Sequence, residues 1–219
     1  MKRIIKILII IFSLTALLLS VSYLQIRNFK TPTHGTAISE YSSPGKALLV
    51  VDIQEDATGK TAKSPYPYQG SEEFIKKVNK IIEKAESKNI LVIYIGQETN
   101  NNILDRHITA GRCIKGKPGA KLDSRLQIIN GNYFSKSRSD AFSNSKLSDF
   151  LIKNQINQLY IIGLDATACV YKTALGAVNR KYKTAIIKDG VITFKIRKLD
   201  EILNGYKKDG ISIISSTDF

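Results

Sequence analysis

The chain has 219 residues, 43% of them hydrophobic, which suits one domain with a core plus a short appendage and excludes a largely disordered chain. A formal charge of +14 directs it toward anionic surroundings, but the lysines are scattered and no nucleic-acid motif is present, so nucleic acid is not expected as a partner. The two cysteines, Cys113 and Cys169, are too few for a disulfide scaffold and form no C-x-x-C metal pair.

The first segment, residues 1–27, opens with Lys2, Arg3 and Lys6 and carries no charge from Ile7 to Leu24. That length is near the minimum for a spanning helix. The flanking charges favour an N-terminus inside and a domain outside the cytoplasm. The segment reads as an uncleaved transmembrane signal-anchor helix, with the membrane as a partner. No A-x-A site is clear, although Ser20 and Ser22 leave cleavage, and hence secretion, open. Residues 28–45 are rich in Thr, Ser, Pro and Gly and read as a linker, with His34 solvated.

From residue 46 to 219 strands alternate with helices. The apolar run Ala47–Val51 predicts a strand buried on both faces. Phe74, Ile75, Val78, Ile81, Ile82 and Ala85 recur at helical spacing. "NILVIYIG" predicts a second strand, and residues 97–132 a long irregular excursion with at most short elements. "SKLSDFLIKN" follows as a helix with Ser145 as its N-cap. Then come strand "QLYIIGL", helix "ACVYKTALGAVNRKY", strand "TAIIKD", helix "RKLDEILNGYKK" and strand "ISIIS". Such alternation predicts a three-layer α-β-α sandwich around a mainly parallel sheet.

Chemistry in such sheets gathers at the carboxyl ends of the strands. That rule selects Asp52, Gln97 with Glu98, and the turn from Gly163 to Cys169. Singly, each polar residue has a plain structural reading: a cap for Asp52, a solvated lysine for Lys136, a packed thiol for Cys169. Together they suit a nucleophile, a base and a cation. A helix N-terminus should also lower the Cys169 pKa.

"LLVVDIQ", "KSRSDAF" and "GLDATACV", in that order, resemble the isochorismatase-like cysteine hydrolases, which include nicotinamidases and N-carbamoylsarcosine amidase. The resemblance covers residues 46–219. It implies a Cys169 nucleophile forming a thioester, Asp52 as general base and Lys136 completing a triad. It also implies a cis peptide between Leu164 and Asp165, with the N–H groups of Asp165 and Cys169 facing an oxyanion. Gln54, Gln97 and Phe142 are expected to line a substrate pocket. The implied function is hydrolysis of a C–N bond in a small amide or carbamoyl substrate. Relatives form dimers or tetramers, so a homo-oligomer is implied. No cofactor is expected, and no metal: the D-x-H of nicotinamidases is missing and His107 stands alone.

Most relatives carry threonine where this chain has Ala166, with Thr167 one position later. That departure leaves open an inactive, membrane-tethered binding protein on the same scaffold. Cys113 reads as an incidental thiol; outside the cell, a disulfide with Cys169 would block the nucleophile.

Overall fold

The computed structural model describes residues 2–63 and 66–219; Met1 of the expected anchor lies outside the described residues. Six strands form one sheet: β1 (Gly45–Val51), β2 (Leu91–Gln97), β3 (Tyr133–Lys136), β4 (Ile156–Leu164), β5 (Lys183–Ile192) and β6 (Ser212–Ile214). Their order is β3-β2-β1-β4-β5-β6, and every adjacent pair is parallel. The helices are α1 (Lys2–Lys30), α2 (Ser71–Ser87), α3 (Ile103–Thr109), α4 (Ser145–Lys153), α5 (Cys169–Asn179) and α6 (Leu199–Tyr206).

Strand β1 explains the layering. Successive side chains of a strand point to opposite faces. Leu48 and Val50 pack with Phe74, Val78 and Ile82 of α2. Ala47, Leu49 and Val51 pack with Leu147 and Leu151 of α4, Val170 and Ala174 of α5, and Leu203 of α6. The five β1 residues from Ala47 to Val51 are 0% exposed, because both faces are covered there. A run in that position must be apolar, and this one is; Lys46, near the start of the strand, is exposed.

Three details differ from the sequence reading. The segment around Lys136, to which the sequence reading assigned no element, contains strand β3, which pairs with β2 and sets Lys136 opposite Gln97. Helix α4 is capped by Asn144 rather than Ser145: the Asn144 side chain accepts from the Lys146 N–H at 3.1 Å. Helix α5 stops at Asn179 although the apolar pattern continues to Tyr182. Lys181 takes φ 68°, its N–H donates to the Val178 carbonyl and that of Tyr182 to the Ala177 carbonyl. That is a Schellman termination with lysine in the place usually held by glycine.

The chain runs outward from β1 through β2 to β3, then returns to β4 on the other side of β1 and runs outward again. The carboxyl ends of β1 and β4 therefore flank the point where the strand order reverses, the usual place for a crevice. Gly163 pairs with Val51 across that junction at φ 121°. A Cβ there would lie 2.0 Å from the Val51 carbonyl oxygen, so only glycine lets the strands meet.

Helix α1 is long and apolar enough for a membrane span or a signal peptide, with a mean hydropathy of 2.7 in its most apolar window. Residues 28–45 are not a free linker. Helix α1 continues to Lys30, and the Ser139 N–H donates to the Phe29 carbonyl at 3.0 Å. The Thr33 N–H and hydroxyl both donate to Asp140 Oδ2, at 2.7 and 2.6 Å. Arg180 donates to the Thr33 and His34 carbonyls. The His34 side chain is exposed, as expected.

Candidate active site

Asp52, Lys136 and Cys169 come from three separate segments and meet at the carboxyl edge of the sheet. Asp52 follows β1 with φ 57° and donates its N–H to the Ile95 carbonyl at 2.8 Å, a turn that carries the chain off the sheet. Lys136 ends β3, and Cys169 begins α5. The Lys136 ammonium lies 2.9 Å from Asp52 Oδ2, 3.3 Å from Cys169 Sγ, 2.7 Å from Gln97 Oε1 and 3.1 Å from the Arg138 carbonyl oxygen. The lysine side chain is 0% exposed.

Burial alone would lower the Lys136 pKa, but Asp52 and then Cys169 outweigh it and hold the value above the ordinary lysine range. The ammonium therefore stays charged. Cys169 moves opposite to the sequence expectation. Burial and the Asp52 carboxylate push its thiol up to about 12, against the pull of Lys136. A first-turn position lowers a thiol pKa by its dipole, but desolvation and a neighbouring carboxylate act more strongly here. The resting site is thus a neutral thiol beside a lysine–aspartate ion pair. Asp52 Oδ1 is buried with no hydrogen-bond partner among the described residues. An unpaired carboxylate oxygen at that depth is costly.

The turn before Cys169 is held by one residue. The Asp165 carbonyl accepts from the Ala168 and Val170 N–H groups, at 3.0 and 3.2 Å. Its carboxylate accepts from the Thr167 N–H and hydroxyl, the Thr193 and Tyr68 hydroxyls, and the Phe194 N–H. The Leu164–Asp165 peptide bond is cis. The N–H groups of Asp165 and Cys169 meet no acceptor among the described residues.

A cavity of about 180 Å³ opens on Asp52 and Cys169. Gln54 and Gln97 line it as expected. Gln54 is a brace: its amide donates to the Gln97 and Ala120 carbonyls and accepts from the Gln97 N–H. Gln97 keeps a buried Nε2 without a partner among the described residues. Phe142 does not line this cavity. It is 3% exposed in the core, beside Tyr182 and under the Arg180 guanidinium, because Asp140 and Ala141 turn it inward in a short 3₁₀ segment. Sequence reasoning passed over Phe29, Tyr66, Tyr68, Ile108 and Arg112, which do line the cavity. The aromatic "PYPYQG" at residues 65–70 was the one available signal for two of them. Cys113 also lines the cavity, and burial pushes its thiol up to about 12. A larger cleft of about 460 Å³ between α2 and α6 has no Cys, Ser or His in its lining among the described residues.

The parallel sheet, with its turn from β4 into α5 at the strand-order reversal, defines the class: isochorismatase-like α/β proteins. The chain belongs to the Isochorismatase domain family, which it matches over residues 46–218, and that family is hydrolase-type with amidase members. It is 29% identical over 152 residues to a protein of Arabidopsis thaliana named a probable inactive nicotinamidase, covering 64% of this chain and 76% of that one. It is 25% identical over 158 residues to N-carbamoylsarcosine amidase of an Arthrobacter species, covering 62% of this chain and 58% of that enzyme. A pyrazinamidase of Pyrococcus horikoshii, solved in complex with zinc, superposes with a TM-score of 0.68 at 26% identity, covering 78% of this chain and 99% of that one. Among the described residues no three His, Cys, Asp or Glu side chains are gathered to hold a metal, and His107 is exposed on α3. The donor set does not fit a metal centre.

Proposed function

We propose that the chain is a cysteine hydrolase that cleaves a C–N bond of a small amide or carbamoyl substrate through a thioester. The carrying observation is the single ammonium of Lys136 within 3.3 Å of Cys169 and 2.9 Å of Asp52. Asp52 takes the thiol proton as Cys169 Sγ attacks the carbonyl carbon. The N–H groups of Asp165 and Cys169 hold the oxyanion. As the C–N bond breaks, the Asp52 proton passes to the departing nitrogen. Water then attacks the thioester, gives its proton to Asp52, and the acid leaves as the C–S bond breaks. The proton returns from Asp52 to sulfur. Lys136 holds Asp52 in place throughout and offsets the charge that builds on sulfur.

In the same reading, α1 tethers the domain to a membrane, with the domain outside the cytoplasm. Lys2, Arg3 and Lys6 stand on the inner side, and Arg27 and Lys30 at the outer surface.

One observation favours a second reading, an inactive binding protein: a relative is named a probable inactive nicotinamidase. An amide-hydrolysis screen with the wild type beside Cys169→Ala separates the two. The expected result is release of ammonia or amine by the wild type alone, and an acyl mass increment on Cys169 in trapped samples. No release from any amide, with Cys169 never acylated, leaves the binding protein.

A further inference from the structure

We propose that Arg112 determines specificity in the cavity and that the substrate is a small amide that also carries a carboxylate; this rests on reading the cavity as the hydrolase substrate site. The ionic partners within the cavity carry the inference. Lys136 and Asp52 are paired with each other. Asp165 is satisfied by hydroxyl and N–H donors of Tyr68, Thr167, Thr193 and Phe194. Asp56 accepts from the Thr61 hydroxyl and the Cys113 N–H, at 2.7 and 2.8 Å. Among the described residues Arg112 is the one cation lining the cavity, and its guanidinium there has no acidic partner and donates no hydrogen bond.

That guanidinium is placed, not loose. Its central carbon lies over Tyr66, 4.4 Å from the ring centroid. The Arg112 carbonyl accepts from the Thr99 hydroxyl at 3.0 Å, and Cys113 beside it is pinned by Asp56. A cation–π contact holds the guanidinium over the ring, and its N–H groups, which donate to no described residue, are left for a ligand. Phe29, Tyr66, Tyr68 and Ile108 make the surrounding wall largely apolar. A neutral ligand filling the cavity would strip water from the cation and return at most the weaker hydrogen bonds of an uncharged acceptor. A carboxylate returns two parallel charge-assisted hydrogen bonds. A phosphate dianion would meet three lining carboxylates, Asp52, Asp56 and Asp165, with one cation to offset them, so the singly charged planar group fits better.

The test needs no turnover. The full-length protein is alkylated with matched pairs of probes, iodoacetate against iodoacetamide, and N-iodoacetyl-β-alanine against its methylamide. In each, sulfur displaces iodide to form a C–S bond, and peptide mass spectrometry reads Cys169 apart from Cys113. In the wild type at least one anionic probe should label Cys169 ten-fold or more faster, relative to its neutral partner, than it labels glutathione. The preference should disappear in Arg112→Gln, return in part in Arg112→Lys, and shrink as salt rises. A wild-type ratio no greater than that of glutathione overturns the proposal, and needs no folded variant. So does a ratio unchanged in Arg112→Gln. Charge-selective labelling without hydrolysis of any amide sinks the hydrolase reading alone, whereas hydrolysis without charge selectivity sinks only the role of Arg112.

Discussion

At the scale of single residues, the site separates two properties often assumed to go together, an activated thiol and a reactive one. Asp52 raises the Cys169 pKa and is also the proposed acceptor of its proton. Replacing Asp52 by Asn removes both effects. Amide hydrolysis should fall at least about 100-fold, the usual loss when a general base is removed. Cys169 alkylation by iodoacetamide at pH 8 should meanwhile become faster, because Lys136 then acts on the thiol unopposed. In the wild type the thiolate fraction below a pKa of about 12 grows with pH. The labelling rate should therefore climb roughly ten-fold per pH unit from 7 to 10, without a plateau. A plateau near pH 7 would show a preformed thiolate. Lys136→Ala should cost about 3–5 kcal/mol of stability, since it strands a buried carboxylate; chemical unfolding in detergent measures it.

At the scale of elements, the geometry of the candidate site depends on how closely β1 and β4 approach. Gly163→Ala places a methyl group against the Val51 carbonyl and forces a non-glycine residue to φ 121°. The expected loss is about 3 kcal/mol or more, from overpacking and backbone strain together. The thermal midpoint should drop, and hydrolysis should fall with it because Asp52 and Cys169 follow these two strands. Asn144→Ala touches α4 alone at its cap and should cost about 1 kcal/mol. The helices and strands themselves were readable, since 3.6-residue and two-residue spacings of apolar side chains leave a plain mark. Strand β3 was not, because a four-residue edge strand with mixed exposure carries too few side chains to show a period.

At the scale of the whole molecule, α1 and the candidate cavity are joined. Phe29, in the last turn of the apolar helix, lines the cavity that Asp52 and Cys169 share. Thr33 then ties the following segment to buried Asp140. If α1 lies in a bilayer, the mouth of that cavity sits close to its surface. The full chain should float with lipid vesicles and stay bound through a 1 M salt wash, since apolar insertion is not screened by salt whereas binding through surface lysines is. Release by salt would show a peripheral protein held by its +14 charge.

The amino-acid sequence alone determined the alternation of buried strands with amphipathic helices and the apolar N-terminal helix, and it offered Asp52, Lys136 and Cys169 as a candidate set. The elements are local patterns, each carried by neighbouring residues, whereas the three candidate residues stand out only together, through motifs read in order along the chain. Only the tertiary structure decided which groups face one another. It turned Phe142 into the core and brought Arg112, Tyr66 and Phe29 to the cavity from distant segments. It also raised the Cys169 pKa where the helix position predicted a fall. Burial and charge proximity depend on through-space distance, and residues far apart along a chain carry no local record of how near they will be once it folds.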